Sequence, residues 1–191
     1  MIYKFSKALL RLFFRIIFRV KINGNAPTFG ACILCANHTS YFDPVVLGAF
    51  CDRKLSFMAK KELFDNKLFG FLIKKLGAFP VDRSKADISA IKNSLSILKN
   101  GGAMLMFPEG TRVKDGDSSA AKAGMVLLSH KAGAPIIPVN INSKFRLFSK
   151  LTITFGKPIV LTEYEGKKLS SDEMSAIAVD ILSEIKALAK D

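Results

Sequence analysis

The chain has 191 residues, 49% hydrophobic and 10% aromatic, enough for one sizeable core, and no Pro/Ser-rich or low-complexity stretch marks a hinge between two. A formal net charge of +13 points to an anionic partner: nucleic acid, an anionic membrane surface or a phosphorylated substrate. Three cysteines, Cys32, Cys35 and Cys51, are too few and odd in number for a secreted disulfide framework and indicate a reducing compartment.

Residues 1–22 carry Lys4, Lys7, Arg11, Arg15, Arg19 and Lys21 and no Asp or Glu. At about 100° per residue the first five of these occupy an arc of about 120°, and the rest of the segment is mainly Phe, Leu, Ile and Val, so the spacing predicts a basic amphipathic helix. Charges interrupt its apolar stretches too often for a transmembrane span, which needs about 20 apolar residues, or for a signal peptide. Two settings suit it. One is the interface of an anionic membrane, with the Phe/Leu/Ile face inserted and each basic residue contributing roughly 1 kcal/mol. The other is docking on the domain's own core. On the first reading, 1–22 is a membrane-associating helix and 23–191 the domain it serves.

A turn region over Asn23–Gly30 leads to the apolar run Ala31–Ala36, predicted as a strand buried on both faces. On a strand, Cys32 and Cys35 point to opposite sides, and no second Cys pair completes a zinc site, so both are expected as inert buried thiols. Helix is predicted over about 43–50, strand over 55–59, and a Leu- and Phe-rich helix over 60–76 that Gly77 stops. A strand near 78–81, a helix over 87–99 and a strand over 103–107 follow, then a polar loop over 108–118. Helix resumes at 121–131, with strands at 136–141 and 151–155 and a last helix over 171–189, which Ser170 and Glu173 open at capping-box spacing. This alternation predicts an α/β fold, one domain with a largely parallel central sheet flanked by helices. Ligands gather beyond the strand C-termini of such sheets. His38, Arg83 and Glu109 each follow a predicted strand.

Asn37-His38-Thr39-Ser40-Tyr41-Phe42-Asp43 sets a histidine five residues before an aspartate. Imidazole, with a pKa near ~6.5, can take a proton from an alcohol, and a carboxylate on its other nitrogen fixes the tautomer and stabilises the imidazolium. Taken alone, the pair serves equally well as a structural cap. In Phe107-Pro108-Glu109-Gly110-Thr111-Arg112, Gly110 lets backbone amides approach a ligand and Arg112 offers a planar fork for phosphate oxygens. Arg83 offers another such fork. A phosphomonoester is close to doubly negative at neutral pH, which clustered cations match, although either arginine by itself also suits a surface salt bridge.

Together these segments resemble the glycerolipid acyltransferase family typified by 1-acylglycerol-3-phosphate acyltransferase. The family's N-H-x4-D motif matches Asn37 to Asp43, and its F-P-E-G-T-R-S motif matches Phe107 to Arg112, with Val113 in place of Ser. Ile137-Pro138-Val139 matches the proline-centred fourth motif, whereas the G-x-x-F-x-x-R motif is shifted, since Gly77, Phe79 and Arg83 show Gly-x-Phe-x-x-x-Arg spacing. The resemblance covers about residues 30 to 160. It implies that His38 is a general base oriented by Asp43, and that a glycerol hydroxyl attacks an acyl thioester directly. The absence of a G-x-S-x-G nucleophile elbow agrees with that. It further implies that Glu109, Gly110, Thr111 and Arg112 hold the acceptor's phosphate, with Arg83 and Lys60 adding charge and Lys122 a further candidate.

The implied reaction needs no metal and no cofactor, and His130 is expected merely as a helix C-terminal residue. Implied partners are lysophosphatidic acid, an acyl-CoA or acyl-carrier-protein thioester, and an anionic membrane on its cytoplasmic face; no nucleic acid is implied. Three alternatives stay open at this point. One is an enzyme acylating glycerol-3-phosphate, dihydroxyacetone phosphate or another lysolipid, and another is a binding protein without turnover. The third is a nucleic-acid binder, which would interleave Lys/Arg with stacking aromatics on an exposed face.

Overall fold

A computed structural model describes residues 2–82, 87–108, 119–164 and 166–190. The central run Cys32-Ile33-Leu34-Cys35-Ala36 forms β2 (Cys32–Ala36), every residue of which is buried, as a strand covered on both faces requires. Cys32, Leu34 and Ala36 face one core, and Ile33 and Cys35 face another. The two thiols thus point apart as expected. All three cysteines are free, and burial raises their pKa values, so the thiols stay protonated.

Seven strands make one sheet in the order β1-β7-β6-β2-β5-β3-β4. The strands are β1 (Arg19–Asn23), β2, β3 (Leu55–Lys60), β4 (Ala78–Val81), β5 (Ala103–Met106), β6 (Ile136–Ser143) and β7 (Lys150–Phe155). Every neighbouring pair is parallel except β6 with β7. α1 (Ile2–Ile17) and α2 (Asp43–Phe50) cover the first core with Phe14, Leu47 and Phe50. α4 (Ile88–Lys99), α5 (Ser119–Ala132) and α6 (Ser171–Ala187) cover the second with Leu98, Met125, Leu128 and Ile181. The steps β2 to β3 and β3 to β4 run the same way along the sheet, so right-handed crossovers put α3 (Lys67–Lys75) on the same side as α2. The steps back, β4 to β5 and β5 to β6, put α4 and α5 on the other side.

Two expected elements differ. The N-terminal helix stops at Ile17, and Arg19–Asn23 is the edge strand β1, paired with β7 from Arg19↔Lys150 to Asn23↔Thr154. Val20 and Ile22 alternate with Arg19 and Lys21, a period of two that reading the whole basic segment at helical spacing conceals. The helix expected over 60–76 divides into a 3-10 turn, Lys61–Phe64, and α3. The Asp65-Asn66 pair causes the break: the Asn66 side chain caps α3 by accepting the Phe69 N–H at 3.0 Å. Gly77 ends α3 at φ +105°, where an added Cβ would lie 2.1 Å from the Leu55 carbonyl oxygen, so only glycine lets β4 start this close to β3.

α1 docks through a mixed face. Phe14 is buried against Phe18 and Phe50, with Phe42 at its edge. Lys7 donates to the Cys51 carbonyl, and Arg11 donates to the Ala49 and Phe50 carbonyls and to Asp52 at 2.7 Å. These are the acceptors that the end of α2 leaves open, so cations from one helix cap the other. Phe5, Leu9, Leu12, Phe13 and Ile16 form the opposite face and are exposed.

Candidate active site

β2 ends at Ala36, and the next residue is locked in place. Asn37 acts as a strand residue turned sideways: its amide donates to the Ile141 carbonyl at 2.9 Å and its carbonyl accepts the Ile141 N–H at 2.7 Å. With β2 pinned to β6 there, the chain turns and enters α2 at Asp43-Pro44, proline being suited to a first helical turn.

Within that turn His38 Nδ1 lies 3.0 Å from Asp43 Oδ2. The same oxygen accepts the Thr39 and Ser40 N–H groups, each at 2.7 Å. Asp43 is fully buried at the N-terminus of α2, so two backbone donors and the positive end of the helix hold its charge where water cannot. Its Oδ1 is buried and accepts no hydrogen bond among the described residues. The His38 ring stacks on Phe107, centroids 4.2 Å apart and planes 26° apart, and its side chain keeps 18% exposure. The arrangement is an oriented imidazole: one nitrogen on a buried carboxylate, one ring face on an aromatic, and access from the C-terminal edge of a parallel sheet. Such a group can move a proton between a bound hydroxyl and a leaving group.

Of the other residues anticipated, Lys60 is the exposed last residue of β3, two strands from β2 along the same edge. Lys122 belongs to α5. Arg83, Glu109, Gly110, Thr111 and Arg112 lie outside the described residues. The described residues just before them, Asp82 and Pro108, follow β4 and β5 on the edge that carries His38. His130 sits in the last turn of α5 and its Nε2 donates to the Lys167 carbonyl at 2.9 Å, a structural tie. Beside Lys60, Lys61 pairs with Asp82 at 2.7 Å, and that hydrogen bond raises its pKa. Two contributions escaped the sequence reading. The only signal for the Phe107 stack is its place at a strand end where the Phe107–Arg112 segment begins, and the Asn37 clamp depends on a partner far along the chain.

Comparisons with known proteins bear on the family and the fold. The acyltransferase family model matches residues 17–142. The 1-acyl-sn-glycerol-3-phosphate acyltransferase of Bacillus subtilis is 30% identical over 194 residues, covering 97% of this chain and 96% of that protein. The protein of the same name from Streptococcus pneumoniae is 34% identical over 166 residues, 83% of this chain, which spans 61% of the longer relative. The crystal structure of the 1-acyl-sn-glycerophosphate (LPA) acyltransferase PlsC from Thermotoga maritima superposes with a TM-score of 0.71 at 25% identity, over 100% of this chain and 79% of that one.

Proposed function

Because this chain belongs to the acyltransferase family that contains the 1-acyl-sn-glycerol-3-phosphate acyltransferases, we propose that it moves a fatty acyl group from a thioester to the free hydroxyl of 1-acylglycerol-3-phosphate, forming phosphatidic acid. The observation that carries this reading is the buried Asp43 carboxylate holding His38 Nδ1 at the C-terminal edge of the sheet.

With Nδ1 donating to Asp43, Nε2 takes the hydroxyl proton as the acceptor oxygen attacks the thioester carbonyl. The new C–O bond forms, the C–S bond breaks, and the imidazolium returns its proton to the departing thiolate sulfur. Asp43 stabilises the imidazolium between these steps, and Phe107 keeps the ring from rotating away. Arg83 and Glu109 to Arg112 would receive the acceptor's phosphate, with Lys60 adding charge along the edge. Holding alcohol and thioester in contact is worth ~7 kcal/mol or more, so positioning supplies much of the rate. The donor is an acyl-CoA or an acyl-carrier-protein thioester.

The exposed apolar face of α1 supports work at a membrane surface. Phe5, Leu9, Leu12, Phe13 and Ile16 would enter the interface, with Lys4 and Arg15 flanking them toward anionic headgroups. The enzyme would thus sit peripherally, on the cytoplasmic leaflet. Among the described residues no helix is long and apolar enough to cross a membrane.

The test incubates purified protein with lysophosphatidate or glycerol-3-phosphate, against acyl-CoA or acyl-carrier-protein donors, and weighs the products. Phosphatidate from lysophosphatidate is expected. Acylation of glycerol-3-phosphate alone would move the assignment to the earlier acyl transfer, and no transfer with any pair would overturn it.

A further inference from the structure

We infer that the loop between β6 and β7, residues 144–149, is a second membrane-inserting element that works with α1 to seat the His38 edge on an anionic bilayer. The inference rests on the membrane reading of α1 and adds a separate contact to it. Polar residues dominate hairpin tips, whereas this one is Lys144-Phe145-Arg146-Leu147-Phe148-Ser149, with Leu147 71% and Phe148 62% exposed.

The loop's shape is held firmly. Phe145 and Phe148 both adopt positive φ, 46° and 58°, a region bulky side chains rarely enter. Phe145 turns inward, its ring 6.0 Å from Phe18 and 5.8 Å from Phe42. The Ser143 and Ser149 hydroxyls accept the Phe145 and Arg146 N–H groups, and the Phe148 N–H donates to the carbonyl of Ile17, the last residue of α1, at 2.7 Å. A backbone strained at two aromatics and tied down at both ends, which still holds two large apolar groups in water, is not arranged for stability of the free protein.

Its surroundings identify the occupant. The tip is fastened to the end of α1 whose last turns expose Phe13 and Ile16, so both apolar groups are held near the same end of that helix. Phe42, the residue before Asp43, touches both Phe14 of α1 and Phe145 of the loop, which puts this surface beside the proposed catalytic pair. Lys144, Arg146 and Lys150 are exposed around the tip, and residues 118–162 contain no Asp or Glu. Exposed apolar side chains flanked by cations suit acyl chains beneath anionic phosphates.

The chain contains no tryptophan, so one introduced indole reports on its own position. Leu147→Trp, Phe13→Trp and, on the far side of the sheet, Val179→Trp are each mixed with vesicles of phosphatidylglycerol and phosphatidylcholine carrying brominated chains. Blue shift and loss of fluorescence are expected at positions 147 and 13 and not at 179. Quenching at 13 without quenching at 147 would overturn the loop while leaving the α1 reading intact. Silence at both would overturn the two together, and equal quenching at 179 would mean indiscriminate adsorption and overturn the loop as well. Leu147→Ser combined with Phe148→Asn, asparagine tolerating the left-handed backbone, should weaken vesicle binding about tenfold or more. Unchanged binding would also reject the proposal.

Discussion

On one side of the sheet α4, α5 and α6 bury Leu98, Met125, Leu128 and Ile181 and, among their described residues, leave Ile88 and Val179 as the large apolar side chains in the open. On the other side α1 and α3 expose Phe5, Leu9, Phe13 and Ile16, and Leu68, Phe69 and Phe71, in rows at helical spacing. Isolated exposed apolar residues are ordinary on a protein surface, but rows of them are not. The contrast sharpens at Lys7 and Arg11, which α1 turns toward the protein while its Phe and Leu residues face out. A helix that turns two of its cations toward its own domain and displays aromatics fits the membrane contact proposed above. The two layers share one sheet and differ in how much apolar surface each leaves open.

The largest effect should come where the two layers meet the sheet edge. His38→Ala is expected to lower turnover about 10³-fold or more while leaving the melting temperature in place. Asp43→Asn should fall comparably, because an amide opposite Nδ1 favours the wrong tautomer. Near-native rates in either variant, measured by phosphatidate formation, would remove the pair from the chemistry.

Next in size is Phe14→Ala, expected to lower unfolding free energy by about 3–5 kcal/mol in urea titration, since this ring is 1% exposed. Its neighbour Phe13 separates the layers. Phe13→Ser should leave stability within about 0.5 kcal/mol yet weaken vesicle binding about tenfold, whereas Val179→Ser should change neither. If Phe13→Ser destabilised the fold as Phe14→Ala does, the outward face of α1 would be core and the contrast would vanish.

The smallest effect is electrostatic. Asp87 caps α4, and hydrogen bonds from the Asp82 N–H, the Ser89 hydroxyl and the Ala90 N–H depress its pKa to about 2. A carboxyl depressed on folding stabilises above its unfolded pKa, near ~4, and loses that contribution as pH falls toward 2. Asp87→Asn keeps a capping oxygen and removes the titration, so its unfolding curve should be flatter than the parent's between pH 4 and 2. Identical acid limbs would show that the cap does not titrate in that window.

His38 and Asp43 were legible because they share one short turn, where five residues of separation and the start of a helix bring the two side chains together without help from distant chain. The alternation of apolar runs with helical periods likewise showed the parallel sheet. What escaped depends on partners remote in sequence. β1 exists because β7 offers it a ladder, and Asn37 is fixed by Ile141. The basic stripe of α1 identified an amphipathic helix but not which face turns inward. The open carbonyls at the end of α2 decide that, and nothing within residues 2–17 encodes them.

The antiparallel pairing of β6 with β7 has a geographic effect. Since β7 runs against β6 and β1 runs with β7, β1 starts at the rim where β2 finishes. Any segment leading into β1 must therefore arrive at that rim, and α1 does, ending within reach of Phe42 and the 144–149 turn. Reverse β7, and the end of the helix would be delivered to the opposite pole, away from His38. One strand direction thus decides whether α1 and the His38–Asp43 pair share a hemisphere.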